Sequence, residues 1–197
     1  MSDTKEKILH ESLRLFARNG YEAVSCSDIA GALGITKGAL YRHYKSKRDI
    51  FGSILAEMER RDAVRAAAFD LPEGTLSDMP EKYRAASADK LTDFCKAQFD
   101  YWTADGFASD FRRMLTVEQF RDVKMAALYR QYLSGGPLGY VADLLSSMGI
   151  ACPQEKAGEL YAHMFLGYSL YDGENDKEGV RSALFARLDK MRDELIR

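Results

Sequence analysis

SCSDIAGALGITKGALYRHYKSKR, residues 25–48, reads as two short helices joined by a tight turn, followed by the start of a third. Ser25 and Asp28 have capping-box spacing, a hydroxyl to accept an early backbone N–H and an acid in the first turn. Ile29, Ala30 and Leu33 then recur at helical spacing, and Gly34 supplies the permissive backbone that ends the helix and turns the chain. Thr36 is placed to cap the next helix. Leu40 and Tyr44 continue that helix's inner stripe, while Lys37, Gly38, Tyr41, Arg42 and His43 fall on or beside its outer face. Gly38 in a first turn costs roughly 1 kcal/mol relative to Ala, which points to close approach by another molecule or to tight packing.

From this centre the chain extends both ways as helices. A helix over about Thr4–Asn19, capped by Asp3 or Thr4, has Ile8, Leu9, Leu13, Phe16 and Ala17 on its buried side. Gly20 sits at its C′ position with Tyr21 as the hydrophobic contact. Residues 4–44 thus form a three-helix unit, since two short helices alone have too little apolar surface to fold. Ser46 caps a longer helix, Lys47 to Ala68, with no flexible linker after the unit. The stretch FDLPEGTLSDMP, residues 69–80, is the clearest loop. Helices are then expected over 82–103, 109–118, 122–134, 138–148, 154–171 and 177–196, with Gly135-Gly136-Pro137 interrupting or kinking the third of these before it resumes at Leu138.

Composition agrees with an all-α chain: four prolines and long runs rich in Ala, Leu, Glu, Lys, Arg and Met. MSDTKEKIL has no apolar signal core, and no window approaches the roughly 18 uncharged apolar residues of a membrane span, so a cytoplasmic location without membrane contact is expected. Cys26, Cys95 and Cys152 are odd in number and far apart, which suggests neither a disulfide framework nor a metal site, and no cofactor is implied. The net charge of −2 hides an asymmetry. Residues 1–50 carry nine basic and six acidic side chains, a surplus of +3, while residues 51–197 carry nineteen and twenty-four, a deficit of −5. Between Thr36 and Arg48 five basic residues occur with no acidic one, which suits a polyanion. Lys37 and Gly38, at the start of the second helix of the motif, could approach base edges in a DNA major groove.

The run GYEAVSCSDIAGALGITKGALYRHYKSK, residues 20–47, resembles the signature of the TetR family of transcriptional repressors. That resemblance covers about the first fifty-five residues. It implies an N-terminal helix-turn-helix DNA-binding domain, residues 1–48, followed by a helical ligand-binding and dimerisation domain, residues 49–197. It further implies a homodimer that holds a palindromic DNA operator and leaves it when a small-molecule effector binds. By match of position Ser25, Ser27, Tyr41, His43 and Lys47 hold phosphates, while Lys37, Gly38 and Arg42 face bases and Thr36 completes the set. Two departures stand out: Ala39, where many members carry Thr or Ser, and Tyr44 in place of the commoner Phe, whose hydroxyl need only reach solvent.

A recognition helix reads few base pairs, so two half-sites and a dimer are expected. Leu160, Tyr161, Met164, Phe165, Tyr168, Leu170 and Tyr171 cover more of the 154–171 helix than one inward stripe requires, which fits either a subunit interface or a core helix packed on two sides. The first is adopted, through residues 154–171 and 177–196. Phe94, Cys95, Gln98, Phe99, Trp102, Phe111, Tyr129, Tyr132 and Tyr168 are candidates for an effector pocket among the helices from 82 to 171, although core packing accounts for most of them. There an effector would tilt the 47–68 helix and change the spacing of the two heads. The alternatives are a helical protein-interaction module or an enzyme carrying a DNA-binding head. The enzyme is disfavoured because His10, His43 and His163 lack metal-ligand spacing and no phosphate loop or nucleophile elbow occurs.

Overall fold

The computed structural model describes residues 3–68, 72 and 76–196, and every regular element among them is a helix. In order these are α1 (Asp3–Asn19), α2 (Cys26–Ala32), α3 (Lys37–Tyr41), α4 (Lys47–Ala68), α5 (Pro80–Arg84) and α6 (Ala88–Ala104). Then follow α7 (Gly106–Glu118), α8 (Val123–Leu133), α9 (Gly135–Ser147), α10 (Pro153–Gly173) and α11 (Lys177–Ile196). The expected loop at 69–80 lies partly outside the described residues, and its last residue, Pro80, opens α5. No described helix is long and apolar enough to cross a membrane.

Three boundaries differ from the sequence reading, each for a local reason. The single helix expected over 82–103 is two, because Ser87 takes an extended conformation and its side chain accepts the N–H of Lys90, which starts α6 afresh. One extended residue, Asp105, separates α6 from α7, so Gly106 opens a helix instead of closing a loop. The glycines before Pro137 form the first turn of α9, and the break falls at Ser134. A Cβ on Gly136 would lie 2.3 Å from the carbonyl oxygen of Gln131, so only glycine fits that join.

The chain forms two compact units. The first comprises Met1–Asp62 and Gly106–Tyr129. Its core joins Ile8, Leu13 and Phe16 of α1, Ile29 of α2, Leu40 of α3, Ile50, Ile54 and Met58 of α4, and Phe111, Met114 and Leu115 of α7, all essentially inaccessible. The α7 helix lies along α1, with the ring of Phe107 4.9 Å from that of His10. Gly20, at φ 88°, ends α1 by donating its N–H to the Phe16 carbonyl, and the Tyr21 ring packs edge-on against Phe16 at 5.0 Å.

Within α4, hydrogen bonds from Arg60 and Arg61, at 2.8 Å each, hold the Glu57 carboxyl down at about 2, against the opposing effect of burial. A folded-state value below the ordinary 4.5 means stability that is complete above that value and disappears as pH falls through 2. Arg60 is exposed to screening solvent, so the contribution is about 1 kcal/mol. Glu57→Gln is expected to flatten the acid limb of the stability profile by that amount in urea titrations between pH 5 and pH 2.

The second unit comprises Ala63–Asp105 and Arg130–Arg197. In it α10 packs against α6, α9 and α11, and α5 against α9. Leu91, Phe99, Leu144, Leu145, Leu160, Met164 and Leu188 are buried there. Three ion pairs strap α11 to α6: Arg181 to both oxygens of Asp100, at 2.6 and 2.8 Å, Lys96 to Asp189 at 2.6 Å, and Arg192 to Asp89 at 3.5 Å.

Candidate nucleic-acid interface

Ser25 caps α2 with a full capping box: its Oγ accepts the Asp28 N–H at 3.2 Å, and the Asp28 carboxylate accepts the Ser25 N–H at 2.8 Å. Ser25 Oγ also donates to that carboxylate at 2.7 Å, so its one proton is committed inside the cap. Hydrogen bonds from Ser25 hold the pKa of Asp28 below the ordinary carboxylate value, the hydroxyl of Ser25 contributing most and its backbone N–H next. Gly34, at φ 65°, makes the turn, and Thr36 Oγ1 accepts the Ala39 N–H at 3.1 Å to start α3.

Leu40 and Tyr44 anchor α3 in the core, both at most 1% exposed. The Tyr44 hydroxyl, expected to reach solvent, instead donates to the Lys5 carbonyl of α1 at 3.2 Å. Burial raises its pKa above the usual tyrosine value. The helix itself is shorter than expected. It ends at Tyr41, and Arg42 and His43 continue it only as a tightening turn with N–H bonds to Ala39 and Leu40.

This anchoring leaves Ser27, Thr36, Lys37, Gly38, Tyr41 and Arg42 exposed and His43 half-buried. The Lys37 ammonium lies 5.9 Å over the Tyr41 ring. Among the described residues, no carboxylate pairs with the side chains of Lys37, Arg42, Lys45 or Arg48. A Cβ on Gly38 would meet nothing nearer than Thr36 Oγ1 at 3.9 Å, so internal packing does not demand glycine there. Lys47 is turned inward: Nζ donates to the carbonyls of Tyr21 at 2.7 Å and Glu22 at 3.3 Å and sits 4.3 Å over the Tyr21 ring.

The pocket candidates fall into both units. Phe111 and Tyr129 are buried in the first, and Phe94, Cys95, Gln98, Phe99, Trp102, Tyr132 and Tyr168 belong to the second. Phe99 stacks on Tyr168 at 5.5 Å, Gln98 Oε1 accepts from Arg65 at 2.9 Å, and burial pushes the Cys95 thiol up to about 12. On the outer side of α10 and α11 a groove of about 460 Å³ is lined by Leu166, Leu170, Val180 and Ala183 together with Glu174, Asp176, His163 and Arg187. Phe165, Leu166 and Leu170 are 52%, 54% and 42% exposed.

One side chain escaped the sequence reading. Glu118 is 1% exposed at the end of α7 and accepts the Tyr21 N–H. Its position three and seven residues beyond Leu115 and Phe111 put it on the inner stripe, which was the available signal.

Residues 8–54 match the family described as "Bacterial regulatory proteins, tetR family". The transcriptional regulator AcrR of Shigella flexneri is 32% identical over 83 residues, a match that spans 42% of this chain and about a third, 32%, of that protein's own length. Two solved structures align over nearly the whole chain. SmeT, in a complex with triclosan, has a TM-score of 0.63 at 17% identity, covering 95% of this chain and 89% of that one. The fatty acid degradation regulator FadR of Bacillus halodurans has a TM-score of 0.60 at 16% identity, covering 95% of each chain. At these identities the likeness is one of fold. With the helix-turn-helix, its capping and its exposed cations in place, residues 8–54 are the part of the chain that matches the tetR family of bacterial regulatory proteins.

Proposed function

We propose that the protein is a transcriptional repressor that holds a palindromic operator as a homodimer and leaves it when a small molecule binds. The observation that carries the reading is the set of exposed, carboxylate-free cations on one short segment, Lys37, Arg42, Lys45 and Arg48, beside a glycine that internal packing does not require. In this reading Lys37, Gly38 and Arg42 face bases, and Ser27, Thr36, Tyr41 and His43 meet the backbone. Ser25 and Lys47 serve by holding the cap and the preceding turn, which their internal bonds support. The functional division runs as residues 1–48 for DNA and 49–197 for dimer and effector.

Homodimerisation is assigned to α10 and α11. Their outer side exposes Phe165, Leu166 and Leu170 around an apolar groove. Glu174 and Asp176 flank the α10–α11 turn, and His163 and Arg187 lie eleven residues away along each helix, about 16 Å at helical rise. Two copies packed antiparallel would bring each acidic end against the partner's basic end. The effector is assigned to the second unit, beside the aromatic residues of α6 and α10, a reading to which the triclosan complex of SmeT lends support. It releases DNA if it binds one spacing of the two heads better than the other, by about 1 to 3 kcal/mol.

The test begins with selection of a duplex from a random library by the full chain, followed by gel-shift titration. Affinity is expected to fall with salt with a log–log slope of about −4 to −7, for two to four phosphates per head. Lys37→Ala is expected to cost about 1 to 3 kcal/mol and to relax base preference in a repeat selection. Failure to enrich any sequence, or affinity indifferent to salt, would sink the proposal.

A further inference from the structure

The first unit holds a buried carboxylate whose partners lie in the α1–α2 turn. The Glu118 side chain is 2% exposed, and Oε1 accepts the Tyr21 N–H at 3.1 Å and Arg121 Nη1 at 2.9 Å. A carboxylate withdrawn from water is tolerated only with such donors, and losing one of them is costly. The same turn is held on its other side, where Lys47 of α4 donates to the carbonyls of Tyr21 and Glu22. Its amide is therefore fixed from α7 and its carbonyls from α4. The Tyr21 ring between them packs on Phe16 at 5.0 Å and Phe51 at 5.2 Å.

Gly20 closes the arrangement. Its φ of 88° is left-handed, and a Cβ there would come within 2.5 Å of Arg121 Nη1 and 2.9 Å of Glu118 Oε1. Four residues past Tyr21, Ser25 caps α2, so the turn fixes where the helix-turn-helix begins.

We propose that Glu118 is a positioning residue for DNA binding: without touching DNA, it pins the Gly20–Tyr21 turn and thereby sets α2 and α3 for the groove. This rests on the DNA-binding reading above. Burial keeps Glu118 itself from any polyanion, and its bond is to backbone, so it acts on the path of the chain. The bond also means that displacement of the α7 C-terminus draws the turn with it.

The test uses the full chain with Glu118→Leu, which fills a similar volume without an acceptor, and Glu118→Gln, which keeps an acceptor oxygen. Three quantities are read: the melting temperature, hydrogen exchange at Tyr21 and through residues 26–33, and affinity for the duplex that the unaltered protein selects. For Glu118→Leu the melting temperature is expected to fall by only a few degrees, since the exposed Arg121 returns to water and the cost is confined to the Tyr21 N–H that loses its acceptor. Its Tyr21 exchange is expected to rise about tenfold or more and its DNA affinity to drop about tenfold, the scale of one hydrogen bond to a charged group. Glu118→Gln should restore both to within about threefold. Glu118→Met takes the place of the leucine variant if that does not fold. Unchanged Tyr21 exchange and affinity in the apolar variant overturns the proposal, as does exchange that rises uniformly through the unit, which marks a merely structural role. If the unaltered protein selects no duplex, the DNA-binding reading fails, while the Tyr21 exchange still decides whether the turn is pinned.

Discussion

Phe165→Glu combined with Leu166→Glu is expected to give a folded monomer that has lost about 100-fold or more of its affinity for a two-half-site duplex. Both side chains are more than half exposed in the single chain, so neither replacement opens a hole in its own core. Leu166 lines the groove between α10 and α11, where the new carboxylates would join Glu174 and Asp176. In the proposed dimer the same change buries unpaired charge at the centre of a contact, where the cost is severe. Each head then binds alone, without the effective concentration that its partner supplied, which accounts for the loss. Light scattering after size exclusion gives the mass, and titration against a whole and a half operator gives the affinity. The half operator should bind unchanged. A doubly substituted protein that stays dimeric with full affinity places the subunit contact elsewhere.

Phe99→Ala is expected to lower stability by about 3 to 5 kcal/mol in urea denaturation, the largest effect of any single truncation proposed here. The ring is fully buried, stacks on Tyr168 at 5.5 Å and 8°, and meets Tyr171 and Phe185 edge-on at 5.7 and 6.2 Å. It lies against the bare backbone of Gly167, where a Cβ would come 3.1 Å from Phe99 Cε2 and 2.9 Å from Leu184 Cδ2. Neighbours on three helices fix one another, so the space left by the ring cannot close cheaply. Phe99→Leu should cost about 1 to 2 kcal/mol. The outcome also separates the two readings of these aromatics. A cost below about 1 kcal/mol would mean that the ring borders space able to relax, as the wall of a pocket does.

What could be read from sequence was what is local. Ser25, Thr36 and Ser46 each cap the helix they precede, and Gly20 and Gly34 take the positive φ that their helix ends require. These features are decided within four residues, and the sequence contains all of them. The restart at Ser87 was hidden because Ala85 and Ala86 before it and Ala88 after it all favour helix. Propensity alone carried the expected helix through a serine that uses its hydroxyl to begin a new one. The placement of α7 along α1 was not legible, since an apolar stripe at helical spacing does not name its partner. The same gap separated the two kinds of site. Lys37, Gly38, Tyr41 and Arg42 face outward as their spacing requires, but nothing local told that Lys47 curls back onto the Tyr21 carbonyl or that Tyr44 reaches Lys5. The aromatic candidates were scattered for that reason too, with Phe111 and Tyr129 serving the core of the first unit.

The carboxylate-free cations of the head belong to a chain whose net charge is −2. Beyond a Debye length, about 8 Å at physiological salt, a duplex senses mainly that weak total and is not drawn in from afar. In the proposed complex Lys37, Arg42, Lys45 and Arg48 would act as separate charges only at contact, displacing condensed counterions one by one. Encounter is therefore ordinary diffusion with little steering, and the affinity is made after arrival. The salt sensitivity of such a protein sits in how long it stays on DNA far more than in how fast it finds it.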